Sequence, residues 1–446
     1  MALKALDIFK HLPKTNCGKC GHPTCLAFSM QMAAKKADLD DCPEVTAEAR
    51  AALEGASSPP IRLVTIGSGD SAVQIGQETV LFRHDESFYH PTGIAVRVKD
   101  DLGDDALQSR VNAINALKFE RVGEKIAVDM IAVENVSGDS AKFARAVAAA
   151  SGTGLAMILM SDDPGAMAAA LETCAAGKPL IYRATSSNWE AMAKLAVANS
   201  CPLAVDASDL GEAADLTAKL VGAGAQELVL DVTSTSFAET LQALTRVRRL
   251  CLKKGFRALG YPCLVLPSAS DPNLAVAEAG TYIAKYAGVV VVDAVEPWQA
   301  LPMLTIRQNV YTDPRKPVQV EPKLYAVGAV NETSPLLITT NFSLTYYTVE
   351  GDVEASRVPC YIGVIDTEGT SVLTAWASEK LTVEKVIKLL NSEEVKSRIK
   401  HSKVIIPGYI AVMSGKLEDE SGWTVMVGPR ESSGLSRYLK TVWKSE

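Results

Sequence analysis

A chain of 446 residues is too long for a single hydrophobic core, and its length predicts about three domains. Apolar residues make up 48% and charged residues 22% of it, a balance typical of globular proteins. The formal net charge of −7, with no block rich in lysine and arginine, argues against a nucleic-acid partner and against a polybasic membrane patch.

The N-terminal region, residues 1–57, begins with a predicted amphipathic helix over residues 2–11. Lys4, Asp7 and Lys10 interrupt its apolar positions, so it lacks the apolar stretch of a signal peptide. No later run reaches the roughly 18 apolar residues of a membrane span. Five scattered cysteines are interpreted as reduced, buried thiols of a cytoplasmic protein: Cys174, Cys201, Cys251, Cys263 and Cys360.

Four further cysteines follow this helix at the spacing C-x2-C-x4-C-x16-C: Cys17, Cys20, Cys25 and Cys42. Thiolate is the metal-binding form of cysteine, and four thiolates can close a tetrahedral shell or hold an iron–sulfur cube. Structural zinc usually takes two C-x2-C pairs, and this segment has one. The pattern therefore favours a [4Fe–4S] cluster, with zinc as the alternative.

Gly55, two serines and paired prolines predict a flexible linker over residues 55–62, although an ordered surface crossing would use the same residues. Over residues 58–320, short apolar runs then alternate with alanine-rich amphipathic segments. Eight strands are predicted: Val80–His84, Ile126–Val133, Ala156–Met160, Leu180–Arg183, Leu203–Asp206, Glu227–Asp231, Cys263–Pro267 and Val289–Asp293. This alternation predicts a (β/α)8 TIM-like barrel.

Polar residues gather where these strands should end, which is the face that carries active sites in barrels. They are Ser161, Asp162, Asp163, residues 184–186, Asp206, Asp231 and Asp293. The alternative is that aspartate and serine cap the following helices. Because the chain has no HExxH, GxSxG or P-loop motif, the barrel is interpreted as a scaffold and docking surface.

Residues 321–446 predict a smaller, Rossmann-like α/β domain. Its predicted strands are Leu336–Thr340, Tyr361–Asp366, Thr370–Ala375, Val404–Ile406 and Thr424–Val427. Turns rich in glycine, serine and threonine lie between them. Small residues allow a large flat ligand with amide edges to approach the backbone, although hairpin turns use the same residues.

The sequence resembles the corrinoid/iron–sulfur protein family of the acetyl-CoA (Wood–Ljungdahl) pathway, in its large (gamma) subunit. The resemblance lies in Asp7–Leu12 with CGKCGHPTCLAFSMQMA and Cys42-Pro43, in ETVLFRHDESFYHPTGIAV, and in NFSLTYYTVEGDVEAS, EGTSVLTAWA, IIPGYIAVMSGKLEDESGW and VGPRESSGL. It implies that the four cysteines bind a [4Fe–4S] cluster and that the C-terminal domain binds a cobamide. The implied cobamide contacts are Thr340, Tyr346, Thr370, Ser371, Val372, Leu373 and Gly434.

The resemblance implies a methyl-carrier component rather than an independent catalyst. Cobalt would accept a methyl group from methyltetrahydrofolate on a separate methyltransferase and deliver it to acetyl-CoA synthase/carbon monoxide dehydrogenase. The cluster would reduce oxidised cobalt back to Co(I), with electrons from a reductive activator or ferredoxin. A small barrel subunit would complete a heterodimer, and no nucleic acid or membrane would be involved.

One absence agrees with this function. Many cobalamin proteins provide a histidine to cobalt from a D-x-H-x-x-G motif, but none occurs here, and His401 is the only histidine after residue 320. Two alternatives remain: an iron–sulfur reductase component with a catalytic barrel and no corrinoid, and a zinc-bearing scaffold.

Overall fold

The computed structural model describes residues 5–34, 36–46, 49, 53, 59–85, 88–312 and 317–443. It divides into two compact units, one of residues 1–118 and 127–311 and the other of residues 119–126 and 312–446. The predicted boundary at residue 57/58 and the first half of the predicted linker, residues 55–58, lie outside the described residues. The described end of that linker is hydrogen-bonded, since Arg62 N–H donates to Gly260 O at 3.0 Å and Arg257 binds Pro59 O at 2.9 Å.

The N-terminal cysteine segment contains the helices Ala5–His11 and Cys25–Ala33 and a 3-10 turn at Leu39–Asp41. The second helix begins after Thr24, whose hydroxyl accepts the N–H of Ala27 at 3.0 Å. The helices pack through one apolar cluster that includes Ile8, Leu12, Phe28 and Leu39. This cluster is the core on which the cysteine loop rests.

Eight parallel strands form the predicted closed barrel in the first unit. In barrel order they are Gly93–Lys99, Met130–Glu134, Ala156–Met160, Leu180–Ala184, Leu203–Asp206, Leu228–Asp231, Cys263–Val265 and Val289–Val292. The last strand pairs with the first, which closes the sheet. All four residues of Val289–Val292 are buried, as expected for a strand covered on both faces.

Helices follow the strands around the barrel: Asp104–Asn115, Ser140–Ser151, Pro164–Cys174, Trp189–Asn199, Leu210–Gly222, Phe237–Lys254, Pro272–Ala284 and Pro297–Tyr311. Several begin at an aspartate whose carboxylate accepts two backbone N–H groups. Asp163, for example, accepts the N–H of Gly165 at 2.9 Å and of Ala166 at 3.3 Å. At Asp163, therefore, helix capping is the role that the structure shows.

The first predicted barrel strand is wrong. Residues 80–84 are coil and turn, and the first barrel strand is Gly93–Lys99. The carbonyl groups of Val80 and Leu81 accept hydrogen bonds from the buried Arg248 side chain, both at 3.2 Å, instead of pairing in a sheet. A hairpin that the sequence did not predict, Val64–Ile66 with Val73–Ile75, places Ile66 and Ile75 in the same core as the barrel interior.

The second unit contains a five-stranded sheet in the order Leu324–Val327, Cys360–Ile365, Leu336–Thr340, Lys403–Ile406, Thr424–Val427. The first of these is an antiparallel edge strand, and the other four are parallel. A small hairpin, Lys118–Arg121 with Glu124–Ala127, contributes residues 119–126 to this unit.

Helices cover both faces of this sheet because its buried side chains alternate. Leu336 and Ile338 join one core with Val386 and Leu390, whereas Leu337 joins a second core on the opposite face. The helices are Ser343–Ser356, Val372–Ala377, Val383–Leu390, Glu393–Arg398, Ser414–Ser421 and Leu435–Thr441. The predicted strand Thr370–Ala375 is wrong, because the helix Val372–Ala377 begins within it after Ser371.

Candidate functional site

The cysteine loop precedes and begins the helix Cys25–Ala33. Cys25 and Cys42 are buried in the apolar cluster of this segment, Cys20 packs against that cluster, and Cys17 is exposed. The N–H of Cys25 donates to Oδ1 of Asn16 at 2.9 Å, which ties the start of the loop to the start of the helix.

The loop backbone has an unusual conformation. Lys14, Asn16, Gly18 and Gly21 all have positive φ values, of 60°, 48°, 73° and 79°. Left-handed residues curl a chain tightly. No atom of the described residues lies within 4 Å of an added Cβ at either glycine, so conformation rather than space favours glycine there. Hydrogen bonds from the Lys19 backbone and the Thr15 side chain lower the pKa of the Cys17 thiol. The loop therefore stabilises a thiolate at Cys17.

Among the residues described, no three His, Cys, Asp or Glu side chains lie close enough together to hold a metal ion. The four thiols are thus not gathered into a coordination shell. The donor set nevertheless suits an iron–sulfur cluster, because it offers four thiols on one short segment, three of them at one apolar cluster. The assignment of Cys17, Cys20, Cys25 and Cys42 as ligands stays a prediction.

A cavity of about 340 Å³ lies in the second unit, at the carboxyl ends of its parallel strands. If the four parallel strands are numbered by their order along the chain, their order across the sheet is second, first, third, fourth. The connections therefore leave in opposite directions from Leu336–Thr340 and Lys403–Ile406. Ligands of open α/β sheets bind at such a switch point, and both strands line this cavity.

The cavity wall is largely apolar, and its other lining comes from three helices and from the loops that follow the parallel strands. The lining residues are Leu337, Ile338, Thr339, Leu344, Thr345, Thr348, Val349, Ser371, Val372, Leu373, Ile405, Ile406, Pro407, Tyr409, Gly428, Pro429, Arg430, Glu431, Ser432 and Leu435. Thr339 is 1% exposed, and its Oγ1 has no hydrogen-bond partner in the described structure. A buried hydroxyl without a partner is costly, so the wall holds a polar group suited to a ligand.

Two loops at the mouth of this cavity are locked together. A Cβ added at Gly408 would lie 2.6 Å from Gly428 O and 2.8 Å from Arg430 N, so only glycine fits there. The N–H of Gly408 donates to Pro429 O at 3.0 Å. The Tyr409 hydroxyl also donates to the Glu431 carboxylate, so side chains as well as backbone join the loops.

The structure brings three of the seven predicted cobamide contacts to the cavity wall, namely Ser371, Val372 and Leu373. Thr370 and Gly434 are half-buried and adjoin wall residues in sequence. Thr340 is fully buried, and its Oγ1 also lacks a partner in the described residues, but Thr340 is not part of the wall.

Tyr346 is likewise not part of the wall. It is 2% exposed, and its hydroxyl donates to Oε1 of Glu350 at 2.7 Å. Its ring packs against Tyr325 and Tyr347. On a helix it lies about 160–200° around the axis from Leu344 and Thr348, which do line the cavity.

His401 is held away from the cavity. Its Nε2–H donates to Ser334 O at 2.8 Å, its Nδ1 accepts the N–H of Lys403 at 3.1 Å, and its ring packs against Trp443. Burial lowers the pKa of His401. These contacts fix a neutral, structural imidazole.

The polar strand ends of the barrel form ion-pair networks. Arg183 contacts Asp162 at 3.1 Å, Asp206 at 3.0 Å and the buried Asp231 at 3.6 Å. Across the same end of the barrel, Arg97 pairs with Asp293 through two hydrogen bonds, of 2.9 and 2.6 Å. These acidic groups are thus engaged with arginines rather than grouped as a metal site.

Within the described ranges, no helix is both long and apolar enough to cross a bilayer.

The chain matches known protein families and full-length relatives. The family model described as "CO dehydrogenase/acetyl-CoA synthase delta subunit" matches residues 63–439, and the model described as "Putative Fe-S cluster" matches residues 12–44. The chain is 47% identical over 441 residues to the corrinoid/iron-sulfur protein large subunit of Moorella thermoacetica, with 99% of both chains covered.

The chain is also 40% identical over 452 residues to the acetyl-CoA decarbonylase/synthase complex subunit gamma of Methanothermobacter thermautotrophicus, covering 98% of this chain and 99% of the relative. Both full-length alignments include the cysteine segment, which lies outside the delta-subunit match. Among solved structures, dihydropteroate synthase from Thermus thermophilus aligns with 56% of this chain and all of its own, at 16% identity and a TM-score of 0.39.

Proposed function

The chain belongs to the family of corrinoid/iron–sulfur protein large subunits, and from this premise we propose that it is a methyl carrier of the acetyl-CoA pathway. A bound cobamide would supply the cobalt that takes a methyl group from methyltetrahydrofolate on a separate methyltransferase and passes it to acetyl-CoA synthase/carbon monoxide dehydrogenase. A [4Fe–4S] cluster would supply the electron that reactivates oxidised cobalt. The protein's own task is to position both groups.

The observation that carries this proposal is the cavity at the switch point of the second unit. Its apolar wall suits the flat body of a corrinoid, and the partnerless hydroxyl of Thr339 suits a polar atom on that ligand. Leu344, Leu373 and Tyr409 at the cavity are 46%, 49% and 41% exposed. Large apolar side chains left this open favour a ligand or partner that covers them.

In this proposal, Ser371, Val372 and Leu373 contact the cobamide from the start of one helix, and Thr339 contacts it from the end of the central strand. Thr370 and Gly434 remain proposed contacts beside this wall, and Thr340 and Tyr346 remain proposed contacts although the wall does not include them. His401 provides no ligand to cobalt, because both of its ring nitrogens are engaged by Ser334 and Lys403. A cobalt without a protein imidazole is easier to reduce, which suits a carrier.

The cysteine loop would hold the cluster with Cys17, Cys20, Cys25 and Cys42. Its left-handed residues and the N–H of Lys19 place backbone donors near Cys17, and such donors tune the potential of a cluster. Proposed partners are a small barrel subunit, the methyltetrahydrofolate methyltransferase, acetyl-CoA synthase/carbon monoxide dehydrogenase, and a reductive activator or ferredoxin.

The test is a metal analysis for cobalt, iron and zinc, with a visible spectrum, on the full chain purified without oxygen. Cobalt with corrin absorption bands and about four irons per chain is expected. Iron without corrin bands would instead support an iron–sulfur reductase component, and zinc without iron would support a scaffold. Adding methyltetrahydrofolate and its methyltransferase to the reduced protein should then shift the corrin spectrum.

A further inference from the structure

The cavity in the second unit has two charged side chains on its wall, Arg430 and Glu431. The Glu431 carboxylate accepts the hydroxyl of Tyr409. Across all residues that the structure describes, the Arg430 guanidinium has no hydrogen-bond or ion-pair partner. The Ser432 hydroxyl, two residues on and on the same wall, also has none there. A charged donor and a neutral donor thus lie together at the mouth of a largely apolar cavity.

The backbone beneath Arg430 is fixed rather than loose. Its N atom would lie 2.8 Å from a Cβ at Gly408, and the loop is held by the 3.0 Å bond from Gly408 N–H to Pro429 O and the 2.9 Å bond from Gly428 N–H to Ile406 O. The backbone position from which the Arg430 side chain extends is therefore fixed at the mouth of the cavity. Such pre-organisation reduces the entropy lost when a ligand is bound.

Arginine with an adjacent hydroxyl is a common recognition pair for phosphate oxygens, because the guanidinium offers paired N–H donors. A complete cobamide carries one anionic phosphodiester in its nucleotide arm, whereas cobinamide lacks that arm. Resting on the proposed function, we propose that Arg430, with Ser432, binds this phosphodiester and makes the site specific for complete cobamides over cobinamide.

The wall also has one opposing charge. Glu431 would repel a phosphate, and its carboxylate is directed toward Tyr409, whose hydroxyl donates to it. Two other hydroxyls of the wall already have intramolecular partners, since Thr348 donates to Leu344 O at 2.6 Å and Ser371 to Thr374 Oγ1 at 3.2 Å. Arg430 and Ser432 are therefore donors that remain available at the rim.

The test is equilibrium binding of cobalamin and of cobinamide to the corrinoid-free full chain, followed by tryptophan fluorescence. The unaltered chain should bind cobalamin at least about tenfold more tightly than cobinamide, as a charge-assisted hydrogen bond predicts. Arg430→Gln should remove that preference by weakening cobalamin alone, and Arg430→Lys should keep part of it. Arg437→Gln, at an exposed arginine outside the wall, is the matched control and should change neither affinity.

Equal weakening of both corrinoids by Arg430→Gln, or no weakening of either, would overturn the inference while leaving cobamide binding intact. Binding of neither corrinoid by the unaltered chain would instead contradict the proposed function.

Inorganic phosphate should compete with cobalamin and not with cobinamide. Saturable phosphate binding by a chain that binds cobalamin and cobinamide equally would show that Arg430 binds free phosphate. That result would reject the cobamide phosphodiester as its ligand. Thermal melting of each variant checks folding, and phosphate competition in the unaltered chain needs no variant.

Discussion

The hydroxyl of Tyr182 donates a 2.6 Å hydrogen bond to Oδ2 of Asp231, whose side chain is 1% exposed. The same hydroxyl accepts Nη1–H of Arg183 at 3.2 Å, so it joins a buried carboxylate to its arginine. Tyr182→Phe should cost about 1–3 kcal/mol, because the buried Asp231 side chain loses a hydrogen-bond donor. The thermal midpoint of the barrel should then fall by about 2–4 °C per kcal/mol.

Tyr89→Phe is the matched control, since Tyr89 is 62% exposed, and it should leave the midpoint unchanged. Equal midpoints for the two variants would contradict the stabilising role of the Tyr182 hydroxyl.

Gly408→Ala and Gly351→Ala should act in opposite directions. A Cβ at Gly408 meets backbone atoms at 2.6 and 2.8 Å, so the two mouth loops must separate, at a cost of about 1–3 kcal/mol. Gly351 is exposed within the helix Ser343–Ser356, and a Cβ added there would have no described atom within 4 Å. Alanine at this position should therefore stabilise the unit by about 0.5–1 kcal/mol.

Denaturant unfolding measures both glycine variants, and cobalamin titration should show weaker binding for Gly408→Ala alone. A Gly408→Ala protein as stable as the unaltered chain would show that the loops can move apart without cost.

Thr339→Val should stabilise the corrinoid-free protein yet weaken its binding of cobalamin. The valine removes a buried hydroxyl that has no partner among the described residues, and it also removes the donor that the ligand would use. Thr340→Val is the comparison, because Thr340 is equally buried and partnerless there but is not part of the cavity wall. We expect about three- to tenfold more loss of affinity for Thr339→Val. A larger loss of cobalamin affinity for Thr340→Val than for Thr339→Val would indicate that Thr340, and not Thr339, contacts the ligand.

His401 should make the second unit less stable in mild acid. Burial holds its folded-state pKa below the unfolded value of about 6.5, so the unfolded chain binds more protons in that interval. The stabilisation is complete above the unfolded pKa and is lost as the pH falls toward the folded pKa, where protonation of Nδ1 breaks the bond from Lys403 N–H. The positive charge of Lys403 acts in the same direction.

Unfolding midpoints measured between pH 7.5 and 5 should therefore fall less steeply for His401→Gln than for the unaltered chain. Parallel curves would show that His401 titrates alike in the folded and unfolded states.

Cys42→Ala should lose iron, whereas Cys174→Ala should keep it. Cys174 is a buried core thiol whose pKa is raised to about 11 by burial, so it is a poor thiolate and a suitable control. If the cluster only reactivates the carrier, Cys42→Ala protein that has been chemically reduced should accept a methyl group at the normal rate. Impaired methylation of the pre-reduced variant would show that the cluster does more.

The sequence predicts most strands of the barrel correctly, because they are continuous apolar runs with helices between them. Ala156–Met160 and Leu203–Asp206 have the predicted bounds. The strand predicted over residues 80–84 is wrong because the carbonyl groups of Val80 and Leu81 accept hydrogen bonds from the side chain of Arg248. Arg248 lies far along the chain, and no local sequence pattern reveals such a partner.

In the second unit, the wrongly predicted strand Thr370–Ala375 contains three β-branched residues, although Ser371 before an alanine- and leucine-containing run is also a helix-start signal. The family resemblance implies a contact at Thr340 and none at the neighbouring Thr339. Successive residues of a strand face opposite sides, so only the register of Leu336–Thr340 against its neighbours decides which threonine meets the cavity. Arg430 was missed for a similar reason, because its lack of a partner is a property of the folded chain.

The hairpin at residues 118–127 has a consequence for how this protein can be divided. Its residues 119–126 belong to the second unit, where Gly123 lies so close to Tyr347 that an added Cβ would overlap the ring. The second unit is therefore assembled from two stretches of chain, with residues 127–311 between them. During synthesis, the hairpin cannot pack against its partner helix, Ser343–Ser356, until the whole barrel between them has been translated. A fragment of residues 321–446 alone would expose Tyr347, and we expect it to need the missing hairpin, supplied as a peptide or a fusion, to fold stably.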